Sequence, residues 1–165
     1  MGINLLKSDY VIKREAAVYL LLSFFILILA QPDFSTFFSI VASVVGYAFA
    51  FKAFVTISTK KRRFAIATLF FAFIQAIHLS WFTADEYVGL YIYPVLLLLS
   101  LGLGMQFGLL SLLLVREREM RWPRLFMLCS LWTFLEWSRL FLLSGYPFNP
   151  VGLALSSTLY GMQLA

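Results

Sequence analysis

Glu136 and Arg139 hold the most chemical promise in this chain. They stand three apart inside the apolar and aromatic run Leu131-Trp132-Thr133-Phe134-Leu135-Glu136-Trp137-Ser138-Arg139-Leu140. Residues three apart are neighbours on a helix surface, so the carboxylate and the guanidinium can partly neutralise each other. A lone charge at the centre of a bilayer costs at least ~2.5–3.5 kcal/mol on insertion scales, so the pair requires a protein-lined or wet setting. Helical spacing puts Cys129, Thr133, Glu136 and Leu140 on one stripe with Arg139 at its flank, and this stripe is expected to face the bundle interior. Two readings are open: a buried pair that locks helices together, or a polar floor beneath a lipid headgroup or reaction site. Arg139 also lies near enough to the outer end of its helix to meet a phosphate.

Other reactive side chains are sparse. His78 could carry a proton, but no second histidine or carboxylate stands at ligand spacing, so it reads better as a neutral, hydrogen-bonded histidine near the interface. Cys129 is the one cysteine, which excludes an intrachain disulfide and a multi-cysteine metal site. A nucleophilic thiolate needs an electropositive, accessible setting, so a cysteine in mid-helix reads as packing. The sequence contains no Ser-His-Asp set, phosphate-cradling glycine loop or paired catalytic carboxylates. No metal and no cofactor is expected.

The elements that must position these residues are membrane helices. The chain is 62% hydrophobic and only 13% charged, against roughly 25% charge in soluble domains. Its mean hydropathy is +0.89. A helical span needs about 20 apolar residues, so about five spans would occupy most of the chain. The apolar runs place them at roughly 14–30, 34–57, 64–82, 90–115 and 123–143, an all-α membrane protein with a single membrane-embedded domain. Lys13 and Arg14 before the apolar stretch Ala16–Ala30 resemble a secretory signal peptide. Ile28-Leu29-Ala30 is a poor cleavage site, and an uncleaved first helix is expected. Ala42, Gly46 and Ala50 recur every four residues in the second span, as do Ser100, Gly104 and Gly108 in the fourth. Small residues at that spacing let helix backbones approach closely in lipid. Lys52 reads as snorkelling to the interface rather than marking a substrate pocket. Trp81 ends the third span, where tryptophan suits the membrane–water boundary. Pro123 suits the first turn of the fifth helix. Ser144-Gly145-Tyr146-Pro147-Phe148-Asn149-Pro150 breaks that helix, and 144–165 is read as the start of a periplasmic or further membrane segment.

The formal charge of +5 is a topology signal. Basic residues cluster at the N-terminus (Lys7, Lys13, Arg14), at Lys60-Lys61-Arg62-Arg63 and in the loop 116–124, while the loops at Asp33 and Asp85-Glu86 are free of them. Lys- and Arg-rich loops stay in the cytoplasm. Five alternating spans then put the N-terminus inside and the C-terminus outside. No basic and aromatic surface of the nucleic-acid-binding kind is present, so no nucleic-acid partner is expected.

The segment Trp132-Thr133-Phe134-Leu135-Glu136-Trp137-Ser138-Arg139, followed by Ser144-Gly145-Tyr146-Pro147-Phe148, resembles the "W-x-x-x-E-W-x-R … T-G-F-P-W" signature of bacterial apolipoprotein N-acyltransferases. Tyr146 and Phe148 keep an aromatic where the family has Phe and Trp, and Ser144 keeps the hydroxyl of Thr. The Asn149–Ala154 continuation departs from the family. The Gln31-Pro32-Asp33-Phe34 turn and the position of Trp81 also resemble the family layout. The resemblance implies a multi-pass protein of the bacterial inner membrane that moves an acyl chain from a phospholipid donor to the N-terminal diacylglyceryl-cysteine of an apolipoprotein. In the family a thioester forms on a cysteine of a Glu-Lys-Cys set, in a nitrilase-like periplasmic domain that follows the helices. The sequence ends at Ala165 before such a domain, so the resemblance reaches the membrane portion alone, expected to be truncated or split and inactive by itself. It assigns cavity or structural roles to Trp81, Glu136, Trp137, Arg139, Gly145, Tyr146 and Pro147, and no catalytic residue. The alternative is a non-enzymatic membrane scaffold or a transporter fragment, although transporters tend to show repeated halves and no convincing repeat is present.

Overall fold

A computed structural model describes the backbone of residues 2–29, 36–84, 89–115 and 121–142. Five helical rods follow one another. α1 is Gly2–Leu29. α2 runs through three consecutive pieces, Thr36–Val41, a π-helical turn Ala42–Gly46, and Tyr47–Val55. α3 is Lys60–His78, followed by the 3-10 turn Ser80–Thr83. α4 is Ile92–Leu113 and α5 is Trp122–Leu142. No strand occurs among the described residues.

Consecutive rods run antiparallel. Ser23 and Tyr19 of α1 meet Gly46 and Phe49 of α2, so the numbering falls on one helix as it rises on the other. Gly104 meets Thr68 and Ala72, and Gly108 meets Phe64 and Thr68, giving α3 and α4 the same relation. Phe107 meets Trp132 and Gln106 meets Leu135, which reverses α5 against α4. This alternation gathers Arg14, Lys52, Lys60–Arg63, Arg121 and Arg124 at one end of the bundle. Two helices, Phe37–Val55 and Ile92–Leu113, are long and apolar enough to cross a membrane. Charge interrupts the apolar stretch in the others: at one end in α1 and α3, and inside α5 at Glu136 and Arg139.

Both small-residue stripes lie at helix contacts. Ala42, Gly46 and Ala50 are buried, and Ser23 Oγ donates to the Gly46 carbonyl at 2.7 Å. At Gly104 a side chain would collide with the Thr68 carbonyl oxygen and lie 2.7 Å from the Ala72 nitrogen, so α3 and α4 touch backbone to backbone. The core is aromatic. Phe71 stacks on Phe107 at 4.0 Å between centroids, and Tyr47 stacks on both at 5.7 and 5.6 Å.

Polar side chains are buried among the apolar ones of the core, while many large apolar side chains face outward. Ser23, Thr68, Gln75, His78, Ser100, Ser111 and Arg139 are buried, whereas Leu21, Phe25, Leu69, Phe73, Leu98, Phe126 and Phe141 are exposed. Scattered exposed apolar residues are ordinary, but this many beside a polar interior suit a bundle surrounded by lipid. His78 illustrates the interior. Its Nε2 lies 3.2 Å from the Leu27 carbonyl oxygen in the last turn of α1, where carbonyls lack helical partners. Histidine thus caps one helix from another, in line with the hydrogen-bonded reading of its sequence. His78→Leu removes the donor and is expected to destabilise the chain by about 1 kcal/mol, measurable by denaturant unfolding in detergent micelles. An unchanged midpoint would show that the contact carries no weight.

Candidate functional site

α5 forms because its interior is free of Gly and Pro, with Pro123 confined to the first turn, where a missing N–H is harmless. Its inward face is Leu128, Leu131, Trp132, Leu135 and Arg139. This corrects the stripe expected from the sequence. Cys129 and Thr133 are exposed, Leu140 is 41% exposed, and Glu136 is partly buried. The stripe is rotated toward Arg139 because the guanidinium and the Trp132 ring have partners on neighbouring helices, and those partners decide which face turns inward.

Arg139 is the largest fully buried side chain among the described residues, with 2% exposure. Its Nε donates to Gln106 Oε1 of α4 at 2.6 Å. The amide nitrogen of Gln106 reaches back to the Leu135 carbonyl at 3.4 Å, so one glutamine binds α5 through both ends of its amide. On α5 itself, Trp132 Nε1 donates to Glu136 Oε1 at 2.9 Å. Glu136 and the Tyr47 hydroxyl both lie within electrostatic reach of the Arg139 guanidinium. The Trp132 ring sits edge-on to Tyr47 at 5.0 Å, to Phe51 at 5.6 Å and to Phe107 at 5.6 Å. The result is a polar network walled by aromatics that ties α5 to α4 and α2.

The other candidate residues are dispersed. Trp137 is exposed on the opposite face of α5, with its ring 4.6 Å from that of Phe141. Trp81 lies in the turn after α3, packed on Phe82 at 4.1 Å. Gln106 stands fourteen residues into α4, which puts Arg139 ~20 Å along the bundle axis from the start of α4, and so from the level of Trp81. Gly145, Tyr146 and Pro147 lie outside the described residues. Sequence reasoning passes over Gln106 and Tyr47. Their signal is nonetheless present: each is a polar side chain within an apolar run, and in lipid such groups bind helices together. No group of His, Cys, Asp and Glu suited to a metal occurs among the described residues.

The class of protein follows from this geometry: an all-helical bundle with a lipid-suited exterior and a buried polar network at its last described helix. The chain belongs to the apolipoprotein N-acyltransferase family, because residues 23–165 match the model of the "Apolipoprotein N-acyltransferase N-terminal domain". It is 32% identical over 154 residues to the apolipoprotein N-acyltransferase of Chlamydia muridarum, covering 90% of this chain and 28% of that protein. The corresponding proteins of Chlamydia pneumoniae and Chlamydia trachomatis are 33% and 34% identical over 86% and 88% of this chain. The chain therefore spans about 28% of the length of the curated relatives it matches. No solved structure matches it.

Proposed function

We propose that this chain is the membrane-embedded domain of an apolipoprotein N-acyltransferase. Its five helices cross the bacterial inner membrane, with the basic end in the cytoplasm and the end of α5 toward the periplasm. The domain serves a transfer in which an acyl chain leaves a phospholipid and is joined to the N-terminal diacylglyceryl-cysteine of a lipoprotein. Its own part is to hold the lipid-facing walls in place, and the acyl-carrying chemistry belongs to a domain beyond it in the longer relatives. The gathering of basic residues at one end supports the orientation.

One observation carries the reading of the site: the buried Arg139 to Gln106 contact, five residues before the Ser144–Phe148 signature. It sets the rotation and depth of α5, the helix that precedes that signature in the sequence. Arg139 is accordingly a positioning residue, Trp81 is a boundary aromatic, and Trp137 is an outward-facing aromatic on the flank of α5.

The test is an acyl-transfer assay with a fluorescent phospholipid donor and a diacylated lipopeptide acceptor. The isolated chain, reconstituted in vesicles, is expected to give no transfer above protein-free vesicles. Turnover by this chain alone would overturn the assignment of the chemistry to a further domain.

A further inference from the structure

The first turn of α3 stands out electrostatically. Lys60, Lys61, Arg62 and Arg63 fill it, no acidic residue accompanies them, and Thr59 before it makes no side-chain cap. A helix N-terminus already carries about half a positive charge and three or four unpartnered N–H groups, so four cations there repel both the dipole and one another. Lys60, Lys61 and Arg62 are exposed, but Arg63 is 6% exposed, and its Nε has no hydrogen-bond partner among the described residues. Cα–Cβ bonds on a helix tilt toward its N-terminus, and Arg63 belongs to the same first turn that bears the free N–H groups. Arg121 and Arg124, at the start of α5, lie at the same end of the bundle because the helices alternate in direction.

We propose that the first turn of α3 binds the phosphodiester headgroup of an anionic phospholipid, with Arg63 as its buried contact and Lys60–Arg62 as its rim. An anion at this point takes hydrogen bonds from the helix N-terminus, partners the buried guanidinium and offsets the repulsion among the four cations. Lipid is the source because the turn caps a helix in a bundle whose flanks are apolar, which puts it at headgroup depth. The site lies at the end of the bundle opposite the C-terminus of α5, so it serves a resident lipid and not the acyl donor. The inference rests on the membrane placement of the bundle and not on acyl transfer. The assay below reads lipid retention, so the two ideas fail separately.

The experiment is native mass spectrometry of the full chain released from micelles holding equal amounts of phosphatidylglycerol and phosphatidylcholine. A juxtamembrane cation is worth about 1 kcal/mol toward anionic lipid, or about fivefold in binding. The wild-type chain is expected to retain phosphatidylglycerol over phosphatidylcholine by at least about fivefold. Arg63→Gln is expected to lower the ratio about fivefold, with Arg63→Lys in between. Lys61→Gln combined with Arg62→Gln alters exposed positions only, and is expected to lower the ratio several-fold in a chain that folds normally. Equal retention of both lipids by the wild type, or an unchanged ratio in both Gln variants, would overturn the proposal. So would displacement of the lipid by millimolar inorganic phosphate, which would mark a free-anion site. A drop in thermal stability of Arg63→Gln with lipid preference intact would give Arg63 a purely structural role and equally end the proposal.

Discussion

Replacing Arg139 with leucine is expected to destabilise the chain by about 3 kcal/mol and to loosen α5 from the bundle. The size follows from what the substitution leaves behind. A single interhelical hydrogen bond in a membrane protein averages only ~0.6 kcal/mol, so loss of the 2.6 Å bond to Gln106 is a minor part. The larger part is the Glu136 carboxylate, which loses the positive charge that attracts it. Leaving a buried charge without its opposite costs up to about 3–5 kcal/mol. The lower end applies because Glu136 is only partly buried and keeps its bond from Trp132. Three comparisons separate these contributions. Gln106→Leu removes only the neutral partner and is expected to cost about 1 kcal/mol. Arg139→Lys keeps the charge but loses the planar fork, and falls between the two. Glu136→Leu added to Arg139→Leu is expected to restore more than half of the loss, since an apolar pair of similar volume leaves no charge unpaired. Unfolding in micelles by added sodium dodecyl sulfate reads all four. If Arg139→Leu unfolds at the wild-type midpoint, the network is not what holds α5.

Gly104→Leu is expected to prevent α3 and α4 from packing at all, and Gly104→Ala to cost about 2 kcal/mol. Even a methyl group here would collide with the Thr68 carbonyl oxygen and stand 2.7 Å from the Ala72 nitrogen and 2.8 Å from its Cβ. Two of these three atoms are backbone, which cannot swing aside as a flexible side chain can. Overpacking of this kind typically costs about 1–3 kcal/mol. The in-helix control lies two residues away. Gly102 has open space around its Cβ position, so Gly102→Ala gains helix propensity, worth up to ~1 kcal/mol, and is expected to leave stability equal or slightly raised. The same detergent titration checks both, with circular dichroism to confirm that helix content survives. Equal behaviour of Gly102→Ala and Gly104→Ala would mean that the close approach at Gly104 does not matter.

These two sites differ in how far the sequence reveals them. Gly104 and Gly108, four apart in an apolar run, point to a close helix contact by their spacing alone, because removing side chains from one face of a membrane helix has few other uses. Which helix they meet is not legible there. Gly46 has the same limit: its stripe is plain in the sequence, whereas its bond from Ser23 and the π turn that contains it are not. Arg139 is conspicuous as a charge in an apolar helix, but spacing alone turns Cys129 and Thr133 inward, and the fold turns them out. A helical wheel gives the angles between side chains on one rod and says nothing of what the next rod offers.

Five helical rods, the clustering of basic residues between alternate rods, and the positions where helices touch closely are all legible along the chain. Each of these is local: apolar length, charge order and side-chain size act along a single stretch of chain. Tertiary structure alone decided that His78 caps α1, that Tyr47, Phe71 and Phe107 stack across three helices, and that Arg139 turns onto Gln106. In an apolar surround a buried polar atom gains most by finding a partner. That partner sits 33 residues from Arg139 and 51 residues from His78 along the chain, so only the packed bundle could supply it.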